Sequence, residues 1–97
     1  VVYKKYRNNN KEKIREYKLI KNYGITLAEY DSMFDKQDGR CSICGIYQDE
    51  LIKKLVVDHN HDTNIVRGLL CDKCNRGLDH FNDDIEIIKK ALKYLTK

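Results

Sequence analysis

A chain of 97 residues that is 41% hydrophobic and 35% charged, with no proline and a formal charge of +4, has the composition of one soluble, helix-rich domain and excludes a disordered or collagen-like polymer. So short a domain buries too little of its unfolded surface to rely on an apolar core alone, and needs a staple. No apolar stretch is long enough to cross a bilayer and the opening Val1-Val2-Tyr3-Lys4-Lys5 lacks the apolar core of a signal peptide, so the chain is expected to be intracellular.

The first residue is valine rather than methionine, which leaves room for a longer parent chain. Up to Asn22, Lys4, Lys5, Arg7, Lys11, Lys13, Arg15, Lys18 and Lys21 are set against only Glu12 and Glu16. A basic helical arm over residues 1–24, preceding a weakly acidic body over residues 25–97, reads as a phosphate-binding element or as a solvated helix surface. From about Asn10 to Tyr23 the apolar Ile14, Tyr17, Leu19, Ile20 and Tyr23 recur at helical spacing, and Gly24 supplies a stop. Thr26-Leu27-Ala28-Glu29 has the form of a capping box, which starts a second helix through Tyr30, Met33 and Phe34 and ends it near Asp38-Gly39.

Cys41-Ser42-Ile43-Cys44-Gly45 reads as a tight turn, followed by a polar loop through Asp49 and Glu50. Leu55-Val56-Val57, ending in Asp58-His59, and Ile65-Val66-Arg67-Gly68-Leu69-Leu70 read as two strands. The turn-rich His61-Asp62-Thr63-Asn64 between them makes a hairpin with an open loop. Cys71-Asp72-Lys73-Cys74-Asn75 then leads into a short helix. A last helix, capped by Asn82 or Asp83, carries the stripe Ile85, Ile88, Ala91, Leu92 and Leu95. The fold class is small, metal-stabilised α+β, with two helices before the hairpin and one at the end. The amphipathic terminal helices could pair with a second copy in a homodimer.

Two C-x-x-C pairs, Cys41/Cys44 and Cys71/Cys74, offer four thiolates, enough for a closed tetrahedral Zn²⁺ shell with no open position for water. A redox pair would need a βαβ context and leave one pair unexplained, and disulfides are disfavoured in a reducing compartment. The 26 residues separating Cys44 from Cys71 exceed the usual ribbon spacing, so the hairpin reads as an insert clamped at its base. Asp58-His59 at a strand end can aim two polar side chains into a cleft. For phosphodiester hydrolysis, His59 has the chemistry of a general base, while Asp58 and Asn75 have that of oxygen ligands to a hard cation such as magnesium. Alone, the Asp-His pair could be a loop polar cluster and Asn75 a helix cap. His61 could be a zinc ligand, a phosphate contact or simply exposed, and His80 reads as surface.

Tyr23-Gly24-Ile25-Thr26, Gly39-Arg40-Cys41-Ser42-Ile43-Cys44-Gly45, Val57-Asp58-His59-Asn60-His61-Asp62 and Val66-Arg67-Gly68-Leu69-Leu70-Cys71-Asp72-Lys73-Cys74-Asn75-Arg76-Gly77-Leu78 together resemble the phage recombination endonuclease VII family, a branch of the HNH or ββα-metal nucleases. The resemblance spans Tyr23 to Leu95. It implies a ββα-metal core, four zinc-binding cysteines, a catalytic magnesium or manganese on Asp58 and Asn75, His59 as base, and DNA lying across the hairpin and the helix after it. It implies for Arg67 a contact to phosphate, with a structural salt bridge as the other possibility, and a phage or mobile-element origin. The family's resolvase carries an acidic residue three positions after the metal-binding asparagine, where this chain has Leu78. Two readings stand together at this level: a metal-dependent DNA endonuclease, and a non-catalytic zinc module that binds nucleic acid through Lys11, Lys13 and Lys18. A protein-interaction zinc domain is a weaker third.

Overall fold

The computed structural model describes residues 2–97, with side chains from Lys11 onward, so the side chains of Lys4, Lys5 and Arg7 in the basic segment lie outside the described residues. The chain runs α1 (Val2–Tyr23), α2 (Leu27–Lys36), a single 3₁₀ turn (Gln48–Glu50), β1 (Val56–His59), β2 (Val66–Leu70), α3 (Asp72–His80) and α4 (Ile85–Leu95). This is the small α+β class expected, and α1 begins well before the expected Asn10. Among the described residues no helix is long and apolar enough to cross a membrane.

Local chemistry sets the helix boundaries. Gly24 takes a left-handed φ of 70° and closes α1 by donating its N–H to the Ile20 carbonyl. Thr26 caps α2 in the expected capping box: its hydroxyl accepts from the Glu29 N–H, and the Glu29 carboxylate accepts from the Thr26 N–H. α2 ends in a Schellman motif, with Asp38 N–H on the Asp35 carbonyl and Gly39 N–H on the Phe34 carbonyl. α3 ends the same way, through Asn82 N–H to Asp79 and Asp83 N–H to Leu78. Asn82 and Asp83 therefore sit at left-handed φ values of 56° and 54° and cannot cap α4. Asp84 does so instead, accepting from the N–H groups of Glu86 and Ile87, which corrects the expected cap by one residue.

The core is small: Leu19, Ile25, Tyr30, Leu55, Val57, Leu69 and Leu70 are buried together with Cys41 and Cys71. α1 reaches it through Leu19, and Glu16 accepts from the Leu27 N–H at the start of α2. The Tyr30 hydroxyl donates to the Leu55 carbonyl at 2.6 Å, tying α2 to the segment entering β1. Much of the two expected apolar stripes stays in solvent: Ile14, Tyr17 and Ile20 on α1, and Ile85, Leu92 and Leu95 on α4, are exposed. Helical periodicity was legible there, but it does not specify the covering surface.

β1 and β2 pair antiparallel, Val56 with Leu70, Val57 with Leu69, Asp58 with Gly68 and His59 with Val66. Arg67 is thereby skipped, and this bulge turns the hairpin's open end. Gln37, just past α2, extends the sheet with its side chain: its amide nitrogen donates to the Leu69 carbonyl at 3.0 Å, and its amide oxygen accepts from the Leu69 N–H at 2.9 Å. A Cβ at Gly68 would lie 3.2 Å from the Gln37 oxygen and press on this hydrogen-bonded amide. Leu69 is fully buried, so Gln37→Leu would leave its N–H without a partner and should cost about 1–3 kcal/mol. A lower denaturant midpoint with an unchanged slope would report that loss.

Candidate active site and metal centre

The two C-x-x-C segments are brought together by different means. The first is a small loop closed by Cys41 N–H on the Ile46 carbonyl and Gly45 N–H on the Cys41 carbonyl, with Gly45 at a left-handed φ of 77°. Ser42 N–H reaches the Leu69 carbonyl, which fixes this loop to β2. In the second, Cys71 stands at the N-cap of α3 and Cys74 in its first turn.

All four sulfurs lie within 4.8 Å of one another, and the Cys44 and Cys71 sulfurs are 3.7 Å apart. A tetrahedral zinc site with Zn–S bonds of about 2.3 Å has sulfur–sulfur edges of roughly 3.8 Å. A disulfide would need about 2.05 Å, and all four cysteines are free thiols. The donor set therefore fits one tetrahedral soft-metal ion, with zinc the natural choice.

The thiols already differ in acidity. Burial pushes Cys41 up, but hydrogen bonds from the backbone of Cys71, Cys44 and Ile43 and from the Cys44 side chain outweigh it and bring Cys41 down to about 6. Cys74 goes the other way, up to about 12, through burial and the crowding thiols of Cys71, Cys44 and Cys41. Four sulfurs this close shed all their protons only against a cation.

Beyond the sulfurs, β1 carries Asp58 and His59 out to the open end of the hairpin. Asp58 is buried, with 7% of its surface exposed. The bulge lets Arg67 fall on its face: Arg67 Nε donates to Asp58 Oδ2 at 2.7 Å and an Arg67 terminal nitrogen to Asp58 Oδ1 at 3.1 Å. The same guanidinium holds Asp83 through bonds of 3.0 and 3.2 Å. Pairing to Asp58 first and Asp83 second raises the Arg67 pKa and keeps the guanidinium charged.

His59 is half-buried, its ring 6.0 Å from that of Tyr23 and 4.9 Å from that of His61. The loop holding the two histidines is stitched by Asn60, whose side-chain oxygen accepts from the N–H groups of Asp62 and Thr63 and whose own N–H donates to the Ile65 carbonyl. His61 is exposed and meets Asp79 of α3, Nε2 to Oδ1, at 3.6 Å. Asn75 lies inside α3, one turn before Asp79 and on the same helix face, and the helix N-cap is Cys71 rather than Asn75. Leu78 lines a cavity of about 260 Å³ with Asp58, Arg67, Gly68 and Leu70.

The structure thus gathers Asp58, His59, His61 and Arg67 on the hairpin and turns toward them the face of α3 that bears Asn75 and Asp79. His61 stands apart from the sulfur cluster, which among the described residues is made of the four cysteines. His80 is exposed, as expected. Lys11, Lys13 and Lys18 are exposed on α1. Lys11 and Lys18, seven positions apart, share one side of the helix, and Lys13 points to the other.

Two residues of this neighbourhood escaped sequence reasoning. Asp83 was read only as a helix cap, and its role depends on the Schellman turn and the bulge together. Asp79 follows Asn75 by four on α3, and that spacing was the one available signal.

The family described as recombination endonuclease VII matches residues 16–97. Gene 59 protein of Mycobacterium phage D29 is 45% identical over 83 residues, covering 84% of this chain and 50% of the phage protein. Gene 59 protein of Mycobacterium phage L5 is 46% identical over 81 residues, covering 82% and 49%. The chain thus spans about half the length of these relatives. No solved structure matches.

Arg67 holds the Asp83 carboxyl below its ordinary value by hydrogen bonding; slight burial opposes this, while the charges of Arg67, His61 and His59 add to it. A depressed carboxyl contributes stability that is present above the ordinary value of 3.8 and is lost as pH falls through the lower folded value. An NMR titration of the Asp83 side-chain carbon should have its midpoint below 3.8 and return to it in Arg67→Met.

Proposed function

The chain belongs to the recombination endonuclease VII family, and from that premise we propose that it is a DNA endonuclease of the HNH type. It hydrolyses phosphodiester bonds with His59 as general base and one divalent cation, magnesium or manganese, on Asp58 and Asn75. What supports this proposal is a buried Asp58 and a half-buried His59 side by side at the end of β1, with α3 against that end of the hairpin through Asp79 to His61 and Leu78 beside Asp58, and Asn75 on the same side of α3 as those two residues.

Asp58 and Asn75 offer hard oxygen donors. Two protein ligands leave positions for water and for a phosphate oxygen, the coordination that magnesium favours. Arg67 occupies one hydrogen-bonding direction at each Asp58 oxygen, and a carboxylate has further lone pairs to offer. When bound, the cation supplies positive charge to the phosphoryl oxygens and to the departing oxygen. The oxygen of the attacking water bonds to phosphorus as His59 takes its proton on a ring nitrogen, the P–O3′ bond breaks, and the departing O3′ takes a proton from solvent, leaving a 3′-hydroxyl and a 5′-phosphate. The Tyr23 and His61 rings neighbour His59, and the Asn60 bonds hold the loop that follows it. The four cysteines hold a structural zinc that keeps α3 and the hairpin in register.

The substrate and partners of the whole protein belong to the same proposal: DNA, contacted in part by Lys11, Lys13, Lys18, His61 and Arg67, and a second copy as partner. Purified zinc-loaded chain should nick plasmid DNA in Mg²⁺ or Mn²⁺. His59→Ala should lower the rate about 100- to 10,000-fold with zinc content and circular dichroism unchanged. Salt-sensitive DNA binding without any cation-stimulated cleavage would instead make it a non-catalytic binding module. Because Lys11 and Lys18 share a side of α1 and Lys13 does not, Lys11→Glu with Lys18→Glu should reduce the slope of log affinity against log salt by about 0.9 per lost phosphate contact. Lys13→Glu should act separately. Unchanged slopes in both variants would remove α1 from the DNA interface.

A further inference from the structure

The feature that the proposed chemistry leaves unexplained is the grip of Arg67 on Asp58. A residue serving only to contact phosphate would keep its guanidinium free, and one serving only to orient a cation ligand would donate to a single oxygen. Arg67 instead covers both Asp58 oxygens, at 2.7 and 3.1 Å, and is itself held by a second carboxylate, Asp83, at 3.0 and 3.2 Å. Arg67 lies in the bulge of β2, and Asp83 in the left-handed turn after α3. Two irregular backbone elements thus bring the three residues together.

We infer that Arg67 makes divalent-cation binding at Asp58 conditional on a phosphodiester being present, with Asp83 as the anchor that takes Arg67 over when the cation enters. The inference rests on Asp58 being a cation ligand, as proposed above.

Charge is the reason. Asp58, Arg67 and Asp83 together carry one net negative charge, and a divalent cation turns that into one net positive charge beside a fixed guanidinium. Placing like charges side by side in a partly buried site is unfavourable. A phosphodiester brings the one negative charge that returns the group to neutrality, and its oxygens accept from the guanidinium as a carboxylate does. Cation alone is therefore bound weakly, and cation with DNA tightly. By linkage the cation must strengthen DNA binding by the same factor. The arrangement suits an enzyme that should not hold a reactive cation away from its substrate.

Asp83 determines the sign of each variant. Removing the Arg67 charge leaves two carboxylates and should attract the cation. Removing the Asp83 charge leaves Arg67 with Asp58 as its only partner and should repel the cation. A variant that merely disturbs the site would weaken binding in both cases.

The test is titration of Mn²⁺ into zinc-loaded full chain, followed by the loss of the free-ion EPR signal, without and with a duplex oligonucleotide. The His59→Ala background keeps the duplex uncut. Arg67→Met should bind Mn²⁺ alone about tenfold or more tightly than the Arg67 protein, and Asp83→Asn more weakly. Added duplex should tighten Mn²⁺ binding for the Arg67 protein and leave Arg67→Met almost unchanged. Equal or weaker Mn²⁺ binding by Arg67→Met, with zinc content and circular dichroism intact, overturns the inference. If Arg67→Met fails to load zinc, Arg67→Gln, which keeps hydrogen-bond donors without the charge, decides instead: Mn²⁺ bound no more tightly than by the Arg67 protein overturns the inference. Asp58→Asn is the separate control: Mn²⁺ affinity unaffected by it would overturn the cation-ligand assignment itself rather than the role of Arg67.

Discussion

Four sulfur atoms within 4.8 Å of one another join a loop after α2 to the first turn of α3, and every other relation in the molecule depends on that junction. The apolar core is small for holding the hairpin between two helices unaided: among the described residues seven apolar side chains are fully inside it, with Cys41 and Cys71, and the rest packed against it are only partly buried. A thiolate-bound metal contributes on the order of 10 kcal/mol, comparable with the whole stability of a small domain. Because Cys71 stands at the N-cap position of α3 and the loop of Cys41 is hydrogen-bonded to β2 through Ser42, an ion on these sulfurs would be tied to both sides of the cluster at the hairpin's open end. The metal centre and that cluster share a short stretch of backbone, from Cys71 to Asn75.

Irregular backbone does the finer positioning. A regular ladder would place consecutive residues on opposite faces of the sheet. The bulge at Arg67 breaks that alternation and delivers a guanidinium to the face of Asp58. At the other end, consecutive left-handed residues cost energy in asparagine and aspartate, less than in most other residues. That conformation ends α3 and brings Asp83 to the same guanidinium. The position where the family's resolvase carries an acidic side chain is Leu78 here, and it lines the cavity next to Asp58 and Arg67. A carboxylate does reach this neighbourhood, five residues further on.

What could be read from the sequence follows the range of the interactions concerned. The capping box at Thr26, the stop at Gly24, both cysteine knuckles and the two strands are local, and spacing identifies them within a few residues. The four cysteines are distant in sequence, but thiolate chemistry leaves few other uses for two C-x-x-C pairs, so their meeting was legible too. Gln37 was invisible because an amide acting as a surrogate strand depends on where β2 lies relative to the end of α2. Asp83 was misread because a cap is a local pattern and an ion pair with Arg67 is not. The stripes on α1 and α4 were recognised as helical, yet exposed Ile14, Tyr17, Leu92 and Leu95 indicate that amphipathic period fixes the conformation of a segment and not its neighbour.

Zinc K-edge X-ray absorption on the purified chain tests the sulfur junction most directly, because it counts donor atoms and measures their distance without reference to activity. Four sulfur scatterers at about 2.3 Å, with no nitrogen or oxygen in the shell, is the result expected. A mixed shell with an imidazole or water in place of a sulfur, or sulfur–sulfur bonds with no metal retained, would contradict it.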